Sequence, residues 1–229
     1  MKTIIVSGAS GNLGQAVIKK FLTEDYFVSG TIIPIDPVRI EIENKNFESV
    51  VVDLLDEGAV NGYAEQVIAR NESIDAAVLT AGGFAMGKIS ETHIAEIQKQ
   101  IKLNFETAYN LARAVFMQMM KQGKGRIFLI GSRPGYDMKH SKGMVAYGLS
   151  KSLIFRLADL MNDEAKGTDV VTSVVVPSTI DTPQNRQSMP DADFSKWVKP
   201  ESIANVIYFY CSREAAILRE PIIKVYGNS

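Results

Sequence analysis

The chain has 229 residues, of which 46% are hydrophobic and 22% charged, and its formal net charge is −1. That balance excludes a chain too polar to bury a core, and it provides no general attraction to nucleic acid or to an anionic membrane. A single cysteine, Cys211, excludes an intrachain disulfide, and no apolar run reaches the roughly 20 residues of a membrane span. The apolar start "MKTIIVSGAS" ends at glycine and is too short for a signal-peptide core. The expected location is therefore the cytoplasm, with no nucleic-acid or membrane partner.

The first element, "TIIVS" (3–7), reads as a strand, and "LGQAVIKKFLTE" (13–24) has helical spacing. Between them lies "SGASGNLG", with glycines at 8, 11 and 14. Gly8 permits a tight turn, Gly11 lets backbone approach a pyrophosphate, and Gly14 lets helix pack closely on strand. Ser10, Asn12 and Leu13 complete the loop. A helix beginning there presents free N–H groups to phosphate, so this strand–loop–helix unit predicts a dinucleotide site.

"YFVSGTII" (26–33) and "ESVVVDL" (48–54) follow as strands. An acid that grips the adenine ribose is expected near the end of the second strand. Ile32 stands there instead, with Asp36 beyond it and Arg39 further on. Both NAD(H) and NADP(H) stay open as cofactors, and the missing acid at Ile32 favours NADP(H).

"EGAVNGYAEQVIAR" (57–70) reads as a helix, and "SIDAAVLTAGG" (73–83) as a strand running into glycines. A long helical stretch, possibly interrupted, covers 89–123. Then come a strand at 125–132, a helix at 143–165, a strand at 168–178, a helix at 200–212 and a strand at 221–227. Seven apolar strands alternating with helices imply one α/β domain over 1–229, a doubly wound parallel sheet of Rossmann type. The irregular stretches 133–143 and 179–199 follow strand ends, where such sheets bind ligands.

Within the helix at 143–165, Tyr147 and Lys151 are four residues apart and share a face. The pair suits core packing as well as chemistry. In the chemical reading, an ammonium beside the phenol, together with an oxidised nicotinamide, favours phenolate. Tyr147 then gives a proton to a carbonyl oxygen or takes one from an alcohol.

These motifs, in this order, resemble the short-chain dehydrogenase/reductase family along nearly the whole chain. "SGASGNLG" stands at the family's glycine loop, "TAGG" (80–83) at its Asn-Asn-Ala-Gly segment, "YGLSK" at its Tyr-x-x-x-Lys pair, and "PSTIDT" (177–182) at its Pro-Gly-x-x-x-Thr segment with Ser178 in place of glycine. The resemblance implies a catalytic set of Asn104, Ser132, Tyr147 and Lys151. In that set Ser132 holds the substrate oxygen, and Lys151 also binds the nicotinamide ribose. Asn104 anchors a water on the proton path. The cofactor contacts it implies are Asp53 and Leu54 for adenine, Ala81, Gly82 and Gly83 after the fourth strand, Tyr147 beside Lys151, and Pro177, Ile180 and Thr182 near the nicotinamide. The Ser132–Tyr147 interval is two residues longer than is usual in the family.

Two local stretches, "IDTPQNRQSMPDADFSKW" (180–197) and "AGGFAMG" (81–87), resemble the quinonoid dihydropteridine reductases of that family. Those enzymes lack the catalytic serine and asparagine and carry an acid at the place of Ile32, so this chain departs from them at three positions.

The expected activity is NAD(P)-dependent hydride transfer to or from a small carbonyl, alcohol or C=N substrate. The alternatives are dihydropteridine reduction and a non-catalytic dinucleotide-binding regulator. Arg133 and Arg186 stand where a polar substrate would enter, although surface arginine is the plainer reading. Phe84, Met138, Met144, Met189 and Trp197 suit an apolar pocket or the core. His93 and His140 read as surface residues, and no Cys/His cluster suggests a metal. The resemblance implies a homodimer or homotetramer through the long helices at 95–121 and 144–165.

Overall fold

The computed structural model describes residues 1–34, 40–137 and 141–228. Strand β1 (Thr3–Ser7) is buried along its whole length. Ile4 and Val6 enter one apolar cluster and Ile5 enters another, because successive strand side chains point to opposite faces. A strand apolar on both faces needs cover on both.

Six further strands lie parallel to β1: β2 (Phe27–Ile32), β3 (Phe47–Val51), β4 (Ala76–Leu79), β5 (Lys124–Ile130), β6 (Asp169–Pro177) and β7 (Ile222–Val225). Their order across the sheet is β3-β2-β1-β4-β5-β6-β7. The chain therefore winds outward from β1 to β3, then returns to place β4 on the other side of β1. The crevice at the carboxyl end of β1 is the point of reversal, where open α/β sheets take ligands.

Helix α1 (Asn12–Thr23) covers one face together with α8 (Pro200–Tyr210); Val17, Ile18 and Phe21 share a cluster with Ile203 and Ile207. The other face is closed by α2 (Glu57–Asn71), α4 (Thr107–Gln122) and α6 (Val145–Glu164), which contribute Val60, Leu111, Val115, Ile154 and Leu157. Truncating any of these buried aliphatic side chains to alanine costs about 2–5 kcal/mol.

The stretch expected as a helix from 89 to 123 divides. Helix α3 (Ile94–Ile101) starts late, because the chain before it is tied elsewhere: the Gly87 N–H donates to the Gly143 carbonyl at 2.8 Å and the Thr92 hydroxyl to the Lys88 carbonyl at 2.8 Å. A π-helical turn (Lys102–Glu106) then joins α3 to α4, with the Thr107 N–H reaching back to the Lys102 carbonyl. Such turns insert one extra residue into a helix and recur at functional sites.

The two irregular stretches contain short helices that the apolar period does not reveal. α5 (Arg133–Tyr136) is capped by Ser132, and α7 (Pro183–Ser188) by Thr182. Their signal is a hydroxyl cap with proline in the first turn. A 3-10 turn (Phe194–Lys196) follows, capped by Asp193.

Candidate active site

The loop between β1 and α1 is built on glycine for steric reasons. Gly8 has φ +64°, a left-handed conformation that side chains disfavour. A Cβ at position 14 would lie 2.2 Å from the Gly8 carbonyl oxygen, so α1 approaches the loop as closely as backbone permits. The Gly11 N–H closes the turn on the Gly8 carbonyl at 3.0 Å. Gly11 is also the N-cap of α1 and makes no side-chain cap bond, which leaves the helix's first N–H groups for a ligand.

A cavity of about 710 Å³ opens over this loop, at the carboxyl ends of β1, β2 and β4. Ten of the residues expected at a cofactor line it: Gly8, Ser10, Gly11, Leu13, Gly14, Ile32, Asp53, Leu54, Ala81 and Gly82. Asn12, Gly83, Tyr147, Lys151, Pro177, Ile180 and Thr182 do not. Asn12 Nδ2 instead donates to Gln184 Oε1 at 2.9 Å, joining the start of α1 to α7, and Thr182 Oγ1 accepts the Asn185 N–H at 3.2 Å. The cavity also has lining residues the glycine motif does not announce, among them Thr31, Lys99 and Lys102. The spacing of Ala95, Gln98, Lys99 and Lys102 marks one side of a helix, and that period is the signal for them.

Thr80 ties the end of β4 to the loop: its hydroxyl donates to the Ser7 carbonyl at 2.6 Å. Beyond it the chain meets Asn104, which is 1% exposed in the π-helical turn. Asn104 Oδ1 accepts the Gly83 N–H at 3.0 Å, and the two hydrogens of Nδ2 are shared among the Gly83 carbonyl at 3.0 Å, Gln100 Oε1 at 2.8 Å and Ser150 Oγ at 3.2 Å. Gly82 has no side chain, and the space it leaves is bordered by Asn104 Oδ1 and Lys151 Nζ, which a Cβ would approach to 2.6 and 3.4 Å.

Tyr147, Ser132 and Lys151 converge beside that space. The Ser132 hydroxyl hydrogen-bonds the Tyr147 phenol. Lys151 is buried, and its ammonium donates to the Ile130 carbonyl at 2.8 Å. Burial lowers the lysine to about 8. The phenol of Tyr147 is raised by burial, which outweighs the opposing bond from Ser132. Among the protein's own groups, desolvation decides the direction at the phenol, and the Lys151 ammonium gives one of its hydrogens to the Ile130 carbonyl.

A family model described as short chain dehydrogenase matches residues 2–193. The chain belongs to this family. Short-chain dehydrogenase/reductases are NAD(P)-dependent oxidoreductases, and so is this protein. It is 28% identical to a 2,3-dihydro-2,3-dihydroxybenzoate dehydrogenase of Escherichia coli, over 100% of this chain and 96% of the relative. It is 27% identical to a dihydropteridine reductase of Dictyostelium discoideum, over 90% of this chain and 86% of that one. The solved structure titled "ElxO with NADP Bound" superposes with a TM-score of 0.89 at 21% identity, covering 99% of this chain and 97% of that one.

In this short-chain dehydrogenase the other candidate residues divide by what already engages them. Arg186 forms a two-point ion pair with Asp181 at 2.6 and 2.8 Å and lies over the Phe194 ring. Arg133 lies over the Tyr226 ring. His93 is exposed at the start of α3, where its N–H donates to Glu96 Oε2 at 2.9 Å. Trp197 packs on Phe194 at 4.8 Å, and Met144 precedes α6 in a bridge to Gly87. Phe84 and Met189 are exposed, and Phe84 meets the Tyr147 ring edge-to-face at 5.0 Å. Asp36, Arg39, Met138 and His140 lie outside the described residues.

Proposed function

We propose that this short-chain dehydrogenase transfers hydride between NADP(H) and a small carbonyl, alcohol or C=N substrate, with Tyr147 as acid and base. The observation that carries the reading is the Ser132–Tyr147 hydrogen bond with buried Lys151 beside it, at the edge of a glycine-lined cavity. The cavity suits a dinucleotide: the cradle at Gly8 and Gly14 excludes side chains, and Thr31 Oγ1, buried in the wall, has no hydrogen-bond partner. The bound cofactor supplies or accepts the hydride.

The protein's own groups hold and move the proton. The raised phenol keeps Tyr147 protonated at neutral pH, the form that donates to a carbonyl oxygen as it gains negative charge. Ser132 fixes the phenol and offers its hydroxyl to the same oxygen. Lys151, charged below about pH 8, offers a positive charge that stabilises the phenolate left when the Tyr147 proton leaves. Asn104 and Lys151, which both border Gly82, are the pair between which the relay water of the proposed proton path would lie. The preference for NADP(H) rests on β2, which ends in Ile32 where an NAD-dependent site carries an acid.

A panel of carbonyl, alcohol and cyclic imine substrates, each with both cofactors, tests the reading by consumption of reduced nucleotide. Binding of NADPH with no turnover on any of them turns the conclusion to a dinucleotide-binding regulator. One observation favours pterin within that panel. Phe84 offers an exposed aromatic ring against Tyr147, and a flat heterocycle stacks on such a ring; the Dictyostelium relative is itself a dihydropteridine reductase. Turnover of quinonoid dihydrobiopterin no faster than a buffer blank removes this reading alone. Exposed Tyr109 and Met117 on α4 and Leu149 and Leu160 on α6 support a homodimer or homotetramer, which light scattering in solution decides.

A further inference from the structure

The only buried side chain of α3 is Gln100. The helix leaves Ile94 67% exposed yet turns a carboxamide inward, with 4% of Gln100 exposed. Burying a carboxamide costs free energy unless its polar atoms are paired. An aliphatic residue in this position would avoid that cost, so the pairing needs an explanation.

Gln100 Oε1 accepts from Asn104 Nδ2 at 2.8 Å, the shortest of the four bonds to the Asn104 side chain. An asparagine carboxamide can rotate by half a turn and exchange its oxygen and nitrogen. Rotated, Asn104 would present nitrogen to the Gly83 N–H and oxygen to the Gly83 carbonyl, losing both 3.0 Å bonds. The fixed donor and acceptor of the Gly83 backbone favour the orientation that keeps them, and the Gln100 oxygen, receiving from the same Nδ2, adds to that preference. The Gly83 clamp in turn fixes the end of the 80–83 segment, whose Ala81 and Gly82 line the cavity. Ser150 is a weaker guide, because its hydroxyl both donates and accepts; it gives its proton to the Tyr147 carbonyl at 2.9 Å.

We propose that Gln100 is a positioning residue: its side-chain oxygen holds the Asn104 carboxamide in the orientation that pairs with Gly83 and so tightens the clamp on the 80–83 segment that borders the cofactor cavity. The link to catalysis rests on the reading of that cavity as the dinucleotide site. The clamp itself does not.

Two substitutions separate orientation from packing. Gln100→Met keeps length and volume and removes the acceptor. Gln100→Glu keeps an acceptor oxygen. In the full chain, hydrogen exchange at the Gly83 amide should rise by about tenfold or more in Gln100→Met, with the β4 amides unchanged, and stay within about threefold of native in Gln100→Glu. NADPH affinity, followed by nucleotide fluorescence, should fall about three- to tenfold in the first and hold in the second. Native exchange at Gly83 in Gln100→Met overturns the proposal. So does a rise spread evenly over β4, which marks general loosening. If Gln100→Met fails to fold, the native protein still decides: the Asn104 side-chain amide protons should exchange slowly by NMR, and exchange at the rate of a free carboxamide rejects the clamp. None of the exchange measurements needs a turnover substrate, so their failure is distinct from failure of the proposed hydride transfer.

Discussion

The ammonium of Lys151 donates to the carbonyl of Ile130, 2.8 Å away, at the end of the strand that leads to Ser132. The bond holds a buried cation on the helix that carries the candidate acid, and burial lowers it from the ordinary lysine value of 10.5 to about 8. Below that value the lysine is charged in both the folded and unfolded chain, and the fold carries the full desolvation cost. Between about 8 and 10.5 the folded chain loses the proton first. Folding then releases a proton, and stability rises with pH through this window, by about 3 kcal/mol in total. Lys151→Met removes the titrating group. Urea unfolding from pH 7 to 10.5 should show the native protein gaining on Lys151→Met by about that amount. Parallel pH profiles for the two proteins would mean that the lysine is not desolvated.

Ser132 acts on Tyr147 against burial. Its hydrogen bond lowers a phenol that desolvation raises. In Ser132→Ala the raising cause acts alone, so alcohol oxidation, which needs the phenolate, should shift its rising limb to higher pH. Turnover at neutral pH should drop by about 10- to 100-fold. The same change takes the acceptor from the Gly135 N–H, 3.2 Å from Ser132 Oγ, and loss of such a cap costs about 1 kcal/mol. A pH–rate profile identical to native would show that Ser132 only caps α5.

The glycine loop makes a steric prediction. Gly14→Ala places a Cβ where the Gly8 carbonyl oxygen stands 2.2 Å away. The partner is backbone and cannot swing aside, so α1 must shift. We expect NADPH affinity to fall by about 100-fold or more, because the loop and helix end that hold the pyrophosphate move apart. Calorimetry with native-like affinity would refute that placement of the phosphates.

The sheet and most of the loop were legible because their causes are local. Apolar runs in "TIIVS" and "VVTSVVVP" need cover on both faces, the glycines at 11 and 14 are set by contacts with the Gly8 carbonyl, and Gly8 is set by its own positive φ. Tyr147 and Lys151 were legible from their spacing. What sequence could not give is direction. That the Lys151 ammonium reaches the Ile130 carbonyl depends on where β5 ends relative to α6, a long-range relation. Gln100 was missed for a similar reason. A glutamine amid "IAEIQKQI" looks like a solvated helix residue, and only the π-helical turn and the packing of α3 turn it inward. Lys99 and Lys102 were missed because a lysine on an exposed helix carries no mark of the cavity it borders.

Cofactor choice gives a prediction at Ile32, which lines the cavity at the end of β2. Ile32→Asp supplies the carboxylate that pairs with the 2′- and 3′-hydroxyls of an NAD ribose and repels a 2′-phosphate. The ratio of NADPH to NADH affinity should fall by at least about tenfold. An unchanged ratio would place the adenine ribose away from Ile32.

The most direct test is Tyr147→Phe. The substitution keeps the ring, and with it the edge-to-face contact to Phe84 at 5.0 Å. It removes only the hydroxyl that Ser132 holds. Folding and NADPH affinity should therefore stay near native, since no cofactor contact depends on the phenol proton. Turnover of a carbonyl substrate should fall by about 100-fold or more, the share general acid catalysis ordinarily contributes. The drop should appear in kcat and in kcat/KM alike, because the lost interaction forms as the carbonyl oxygen gains charge and not in the ground state. A helix pair with a packing role gives the opposite pattern, in which stability falls and turnover per folded molecule holds. Native kcat in Tyr147→Phe, on a substrate whose oxygen must gain a proton, would remove Tyr147 from the chemistry. Dihydropterin reduction discriminates less well, since the nitrogen that is reduced can take its proton from water.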